Sequence, residues 1–163
     1  MPSAGKSTAG VIVAKNRGMF FVDTDVLLQT QQRRLLQDIL NKDGIETFLE
    51  LEESAILSIE CENTVIATGG SAIYSENAMK HLKRNGIVIY LHIDMETVNK
   101  RLNNIKTRGV VLNSGQTLEE VYTQRKPLYE KYADIIINSS DYLIDNTIDA
   151  IHQRLDFLSE NLK

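Results

Sequence analysis

The chain has 163 residues, 42% hydrophobic and 25% charged, proportions that exclude an intrinsically disordered protein. That length suits a single domain with a sizeable core. With 18 lysines and arginines against 22 acidic residues, the net charge of −4 excludes the electrostatic footprint of a nucleic-acid binder, although local basic spots can still hold a phosphorylated small molecule.

The first residues, Ala4-Gly5-Lys6-Ser7-Thr8, lead into a helical pattern from Ser7 to Asn16 that Gly18 ends. Met19-Phe20-Phe21-Val22 reads as a strand ending in Asp23-Thr24-Asp25. From Thr24 to Ile59 no strand is predicted, and helices are expected over Leu35 to Lys42 and, after Gly44, over Ile45 to Ile59. Thr64 to Thr68 is the next strand and ends in Gly69-Gly70. A helix begins at Ser75 and stops before Gly86, and a strand follows over Ile87 to Ile93. Helices over Met95 to Ile105 and Leu118 to Tyr132 flank a polar, glycine-punctuated loop, residues 106 to 117, of the kind that forms lids. Asp134 to Asn138 is the fourth strand, and a last helix spans Asn146 to Leu162. The strands are continuous apolar runs, as expected for strands covered on both faces, and strand–helix alternation predicts an α/β fold with a parallel sheet. No apolar run reaches membrane-spanning length and no signal peptide is visible, so a cytoplasmic protein without a membrane partner is expected. Cys61, the lone cysteine, has no partner for a disulfide.

Several stretches could carry chemistry, each beside a plainer account. Gly5-Lys6-Ser7-Thr8 opens a helix whose free amides and dipole favour a phosphate, with Lys6 reaching it and Ser7 ligating Mg²⁺. Alone, the triplet is better explained as a helix capped by Ser or Thr. Asp23 and Asp25 flank Thr24 at the carboxyl end of a strand, and alternation directs both to the same side, where one could hold a metal-bound water and the other accept a hydroxyl proton. An N-cap would explain one of them and leave the other idle. Gly69-Gly70 permits close backbone approach to a ligand or is simply a turn. Arg108 could swing onto a transferring phosphate from the lid, or be a solvated surface arginine. Arg125 could fork onto a carboxylate, or form a surface ion pair. His81, His92 and His152 show no metal-ligand spacing.

In this order the motifs resemble the shikimate kinases, P-loop enzymes of the nucleoside-monophosphate-kinase type. The resemblance rests on Gly5-Lys6-Ser7-Thr8, Phe21-Val22-Asp23-Thr24-Asp25, Asp43-Gly44-Ile45-Glu46-Thr47-Phe48, Ala67-Thr68-Gly69-Gly70, Val88-Ile89-Tyr90-Leu91 and Arg125-Lys126-Pro127-Leu128-Tyr129. It implies a three-layer α/β/α fold with sheet order 2-3-1-4-5, and transfer of the γ-phosphoryl group of ATP to the 3-hydroxyl of shikimate with Mg²⁺. Carried over residue by residue, Ala4, Gly5, Lys6, Ser7 and Thr8 form the phosphate loop, with Lys6 its lysine. Ser7 and Asp23 serve the metal, and Asp25 engages the substrate hydroxyls as the base. Gly69 and Gly70 contact the substrate, Arg125 binds its carboxylate, Arg101 lies near adenine and Arg108 reaches over the nucleotide. The resemblance also implies a monomer, one kinase domain over residues 1–163, a substrate-binding helical region over 24–60 and a lid over 106–117.

Three departures stand out. Leu49 occupies the position of a second carboxylate-binding arginine, which Arg33 or Arg34 could replace from the neighbouring helix. Ser71 stands where the family has a third glycine. The strand and first glycine that precede Ala4-Gly5-Lys6-Ser7 are absent, so Met1 is expected to be an internal methionine of a longer protein. The competing expectations are a kinase of this scaffold for another small hydroxylated metabolite, and a non-catalytic nucleotide-binding remnant.

Overall fold

The computed structural model describes residues 1–102, 115–140 and 143–161. Helix α1 (Lys6–Arg17) runs between two left-handed glycines. Gly5 (φ 86°) turns the chain into it, and Gly18 (φ 64°) closes it by donating its N–H to the carbonyls of Ala14 and Lys15. Strand β1 (Phe20–Asp23) follows and pairs in parallel with β2 (Thr64–Ala67), Asp23 lying opposite Ala67. The same ends of both strands therefore deliver Asp25 and Gly69 to one rim. The Gly69 N–H donates to the Thr24 hydroxyl across that rim at 3.0 Å.

Helix α2 (Thr24–Gln32) begins on the residue after β1 and ends at Arg33, whose φ of 51° turns the chain into α3 (Leu36–Leu57). Gly44 (φ 84°, ψ 177°) breaks α3 into two helical stretches, matching the predicted pair of helices on either side of it. A short 3₁₀ turn (Ala72–Tyr74) after β2 leads to α4 (Glu76–Lys83), whose N-terminus is capped by the Ser75 hydroxyl accepting from the Ala78 N–H. Strand β3 (Ile89–His92) pairs in parallel with β4 (Ile135–Asn138). Helix α5 (Met95–Leu102) follows β3. Helix α6 (Leu118–Tyr132) starts with a capping box made by Thr117 and Glu120, and α7 (Ile144–Asn161) ends the described chain.

Among the described residues the strands form two parallel pairs, β1–β2 and β3–β4, which correspond to strands 2-3 and 4-5 of the order implied by the resemblance. The main core joins α1, β3, β4 and α7 through Ala9, Val13, Leu91, Ile137, Ile148 and Ile151, with Met1 and Ala4 buried in it. A second apolar cluster of Leu28, Ile39, Phe48 and Ala55 ties α2 to α3. Fully burying a side chain such as Leu28 or Phe48 contributes about 1.5–3 kcal/mol, so this small cluster suffices to hold the helical region as a unit. Full coverage of every strand is not observed. Burial alternates along β4, where Ile136 is half exposed, because one face of that strand is only partly roofed. No described helix is long and apolar enough to cross a membrane.

Candidate active site

The N-terminus of α1 carries no side-chain cap and no acidic residue in its first turn. Its first amides have no intrahelical partners, and the helix dipole adds partial positive charge there. The expected Ser or Thr cap is therefore not what starts this helix; a left-handed glycine is. Lys6 folds back over the turn, its Nζ donating to the Met1 carbonyl at 3.0 Å. Arg101 braces the same turn from α5, donating to the Ser3 carbonyl at 3.1 Å and to the Ser139 carbonyl at 3.0 Å. It thus ties the loop before α1 to the end of β4. Backbone amides, one lysine and a fixed turn make an anion site.

One cavity extends from this helix start to the ends of β1 and β2. Gly5, Lys6 and Ser7 line it on the α1 side, and Asp25, Gly69 and Gly70 line it at the sheet rim. Phe48 and Glu52 from α3 and Arg125 from α6 complete it. Lys6, Asp25 and Arg125, far apart in sequence, share this cleft. Thr8 is an exposed residue of the first helical turn, and Ala4 is buried in the main core; neither lines the cavity.

The two aspartates part company. The strand ends at Asp23 and Thr24 is already helical, so strand alternation does not place Asp25. Asp23 caps α2, one carboxylate oxygen accepting from the N–H groups of Asp25 at 3.0 Å and Val26 at 3.3 Å. Asp25, in the first turn of α2, faces the cavity instead. The cap that competes with a metal role for this motif is therefore real and belongs to Asp23.

Gly69 and Gly70 press against the functional side chains. A Cβ on Gly69 would overlap Glu52 Oε1 and come within 2.8 Å of Asp25 Oδ1, and one on Gly70 would lie 3.2 Å from an Arg125 Nη. A larger residue at Gly69 would displace the Glu52 and Asp25 carboxyl groups, and one at Gly70 would press on the Arg125 guanidinium. Arg125 is only 2% exposed and is no surface ion-pairing residue. Its Nε donates to the Tyr74 hydroxyl at 3.1 Å, with the guanidinium stacked 5.3 Å from the Tyr74 ring centroid. Tyr129, one helical turn further along α6, donates to the Gly70 carbonyl at 2.6 Å and so fixes the turn against the arginine's helix.

On the acceptor side, Leu49 packs with the α2–α3 apolar cluster. The expected replacements do not reach the site. Arg33 is exposed, and Arg34 is bridged to Asp43 at the surface; neither lines the cavity. Among the described cavity residues the basic side chains are Lys6 and Arg125. Arg108 and most of the lid, residues 103–114, lie outside the described residues.

The sequence motifs do not single out Glu52, Tyr74 or Tyr129. Glu52 sits in the run Leu49-Glu50-Leu51-Glu52-Glu53, which reads as a charged helix surface. Its one sequence signal is the i,i+4 spacing from Phe48, which puts it on the buried face of α3. Glu52 is 3% exposed, and one carboxyl oxygen, Oε1, has no hydrogen-bond partner. Burial pushes its carboxyl up to about 7, a hydrogen bond from Ser71 opposes the shift, and the charge of Asp25 adds to it. Arg125 and Lys6 pull weakly the other way.

Known proteins match this arrangement. The shikimate kinase family profile matches residues 2–156. The chain is 30% identical over 152 residues to the shikimate kinase of Thermoanaerobacter pseudethanolicus, covering 91% of this chain and 88% of the relative. It is 35% identical over 141 residues to shikimate kinase 2 of an Enterobacter species, covering 83% and 81% of the two chains. Among solved structures, shikimate kinase from Acinetobacter baumannii in complex with shikimate superposes with a TM-score of 0.85 at 30% identity, over 98% of this chain and 90% of that one. The fold is accordingly the P-loop α/β/α fold. The helix start that can hold phosphates, the aspartate at the strand end and the buried arginine across one cleft are arranged in a chain that belongs to the shikimate kinase family.

Proposed function

We propose that this chain transfers the γ-phosphoryl group of ATP to the 3-hydroxyl of shikimate, with both substrates held in the cleft that Lys6, Asp25 and Arg125 line. That shared cleft is the observation that carries the reading, because a phosphate-holding helix start, a carboxylate and a buried guanidinium sit in it together. The uncapped amides of α1 and the Lys6 ammonium receive the nucleotide phosphates. Arg125, held in place by Tyr74, receives the shikimate carboxylate, where a planar guanidinium suits two oxygens. That contact turns the ring hydroxyls toward Asp25. The Asp25 carboxylate accepts a hydrogen bond from the 3-hydroxyl and takes its proton as that oxygen bonds to the γ-phosphorus and the bond to the ADP oxygen breaks. Positioning and charge neutralisation supply most of the acceleration in such a transfer.

The donors present fit Mg²⁺, a hard cation that prefers oxygen ligands and keeps several waters. The Ser7 hydroxyl, which lines the cleft at the start of α1, would ligate it, and Asp23, which caps α2 just outside the cavity lining, would hold a bound water through the carboxylate oxygen that does not cap α2. Bound there, the ion would offset charge on the phosphate oxygens. Arg108 belongs to the lid of residues 106–117 and would close over the nucleotide, while Arg101 steadies the loop below it near the adenine end. Residues 24–60 form the substrate-binding region of a single kinase domain, which acts as a monomer in the cytoplasm. An ADP-release assay with ATP and Mg²⁺, run with and without shikimate, tests the reading. ADP release that depends on shikimate supports it. If the rate is the same with and without shikimate but rises with another hydroxylated acid, the kinase reading stands and the acceptor is wrong.

A further inference from the structure

The α3 side of the cleft holds a carboxyl group for which the reaction as described has no use. Glu52 is almost fully buried, lines the cavity and leaves Oε1 without a hydrogen-bond partner. Ser71, at the position of the family's third glycine, hydrogen-bonds this carboxyl, and Leu49, at the position of the absent arginine, packs into the apolar cluster one turn before it. A buried polar atom without a partner is costly and is normally satisfied by protein, water or ligand.

Its neighbours indicate which ligand group fits. Glu52 Oε1 and Asp25 Oδ1 both crowd the space beside Gly69, so an acceptor hydroxyl on Asp25 brings its neighbours on the same ring close to Glu52. Arg125 lies at the other glycine of the turn, Gly70, where an acceptor carboxylate would sit. The Gly69 N–H is already given to Thr24, so the turn itself has no donor to offer Oε1 at that residue. The last torsion of a glutamate is soft, and rotation about it swings Oε1 from beneath the turn toward the cavity without moving the backbone.

We propose that Glu52 is a specificity-determining residue of the acceptor pocket, its unpaired oxygen taking a hydrogen bond from an acceptor hydroxyl other than the one that is phosphorylated. This rests on the functional reading above. The charged groups that face Glu52 are Asp25 from α2, Lys6 from α1 and Arg125 from α6. Asp25 opposes its ionisation, whereas a hydroxyl donating to Oε1 favours it. Acceptor binding therefore lowers the proton affinity of Glu52.

The test compares shikimate with its analogues lacking the 4- or the 5-hydroxyl, each retaining the 3-hydroxyl, in the wild type, Glu52→Gln and Glu52→Ala. The readout is kcat/KM in the ADP-release assay. With the wild type, removal of one of the two hydroxyls is expected to lower kcat/KM by about tenfold or more, the size of a hydrogen bond to a charged group. With Glu52→Ala the same removal is expected to cost less than about threefold, with Glu52→Gln in between. Because each protein is compared with itself, a general loss of activity in a variant does not affect the ratio. Should Glu52→Ala not fold, the isosteric Glu52→Gln decides by the same ratio. Equal penalties in wild type and variants for both analogues overturn the inference while leaving the functional reading intact. A wild type that does not turn over shikimate overturns both.

Discussion

On the function proposed above, the donor and acceptor ends of the cleft are built differently. At the donor end the working parts are mainly backbone: a left-handed glycine, the first amides of α1 and a turn braced by Arg101 through two carbonyls. At the acceptor end they are side chains from α2, α3 and α6 crowding a two-glycine turn. A backbone site depends on a few small or hydroxyl residues and one lysine. A side-chain site can be altered one residue at a time, and Leu49 and Ser71, the two residues substituted relative to the family pattern, both lie at the acceptor end. The comparison predicts that donor-end changes abolish transfer whatever the acceptor, whereas acceptor-end changes move KM for the acceptor.

The largest effect falls on the one donor-end side chain that a methionine can mimic in shape. Lys6→Met is expected to lower kcat by on the order of 10²–10³-fold, the usual loss for one group that stabilises transition-state charge. Calorimetry should find the affinity for shikimate changed by less than threefold or so. A comparable loss of acceptor affinity would blur the division between the two ends.

Next comes the buried acid. Glu52 binds a proton more tightly in the folded chain, where its pKa is about 7, than in the unfolded chain, where it is near 4.5. Between those values the folded state holds a proton that the unfolded state has lost, so stability falls as pH rises through this window and the loss is complete above about 7. At roughly 1.4 kcal/mol per unit the destabilisation at pH 8 is on the order of 3 kcal/mol. Glu52→Gln should recover much of it. Urea unfolding at pH 8 is expected to show the variant more stable than the wild type, with the difference shrinking toward pH 4.5. A pH-independent difference would mean that Glu52 is not a buried titrating group.

Much of this division is legible in the amino-acid sequence. The Gly5-Lys6-Ser7-Thr8 helix start, the aspartates and the two glycines are local motifs at a strand end or helix start, and Arg125 belongs to the local run Arg125-Lys126-Pro127-Leu128-Tyr129. The break at Gly44 is legible as well, since glycine there separates two helical periodicities. The roles of the two aspartates are not, because whether a helix starts at Thr24 or the strand continues depends on which group caps it. Glu52 is hidden for another reason. A glutamate amid other glutamates on a helix looks solvated, and only packing of Phe48, four residues earlier, shows that this face turns inward. The stacking of Tyr74 on Arg125 joins residues 51 positions apart and leaves no local trace. The loop that carries Arg108 stays an expectation of the sequence.

A smaller effect concerns Arg125. Arg125→Ala should raise KM for shikimate by about 10–100-fold, as expected for losing a hydrogen-bonded charge partner of a carboxylate, with KM for ATP nearly unchanged. Arg125→Lys should recover little, because an ammonium cannot fork onto two oxygens or stack on Tyr74 as a guanidinium does. The smallest effect separates the two roles of Asp23. Asp23→Ala should destabilise the fold by about 1 kcal/mol through loss of the α2 cap, whereas Asp23→Asn caps equally well and should be neutral in unfolding experiments. If Asp23 also holds a metal-bound water, the asparagine variant will need several-fold more Mg²⁺ for half-maximal rate.

The most direct measurement is a crystal structure of the chain with ADP, Mg²⁺ and shikimate bound together. The account predicts the β-phosphate at the amides of α1 and Lys6, the shikimate carboxylate on Arg125 and its 3-hydroxyl on Asp25, all in one cleft. Shikimate bound with its carboxylate away from Arg125, or ADP seated away from the start of α1, would contradict it.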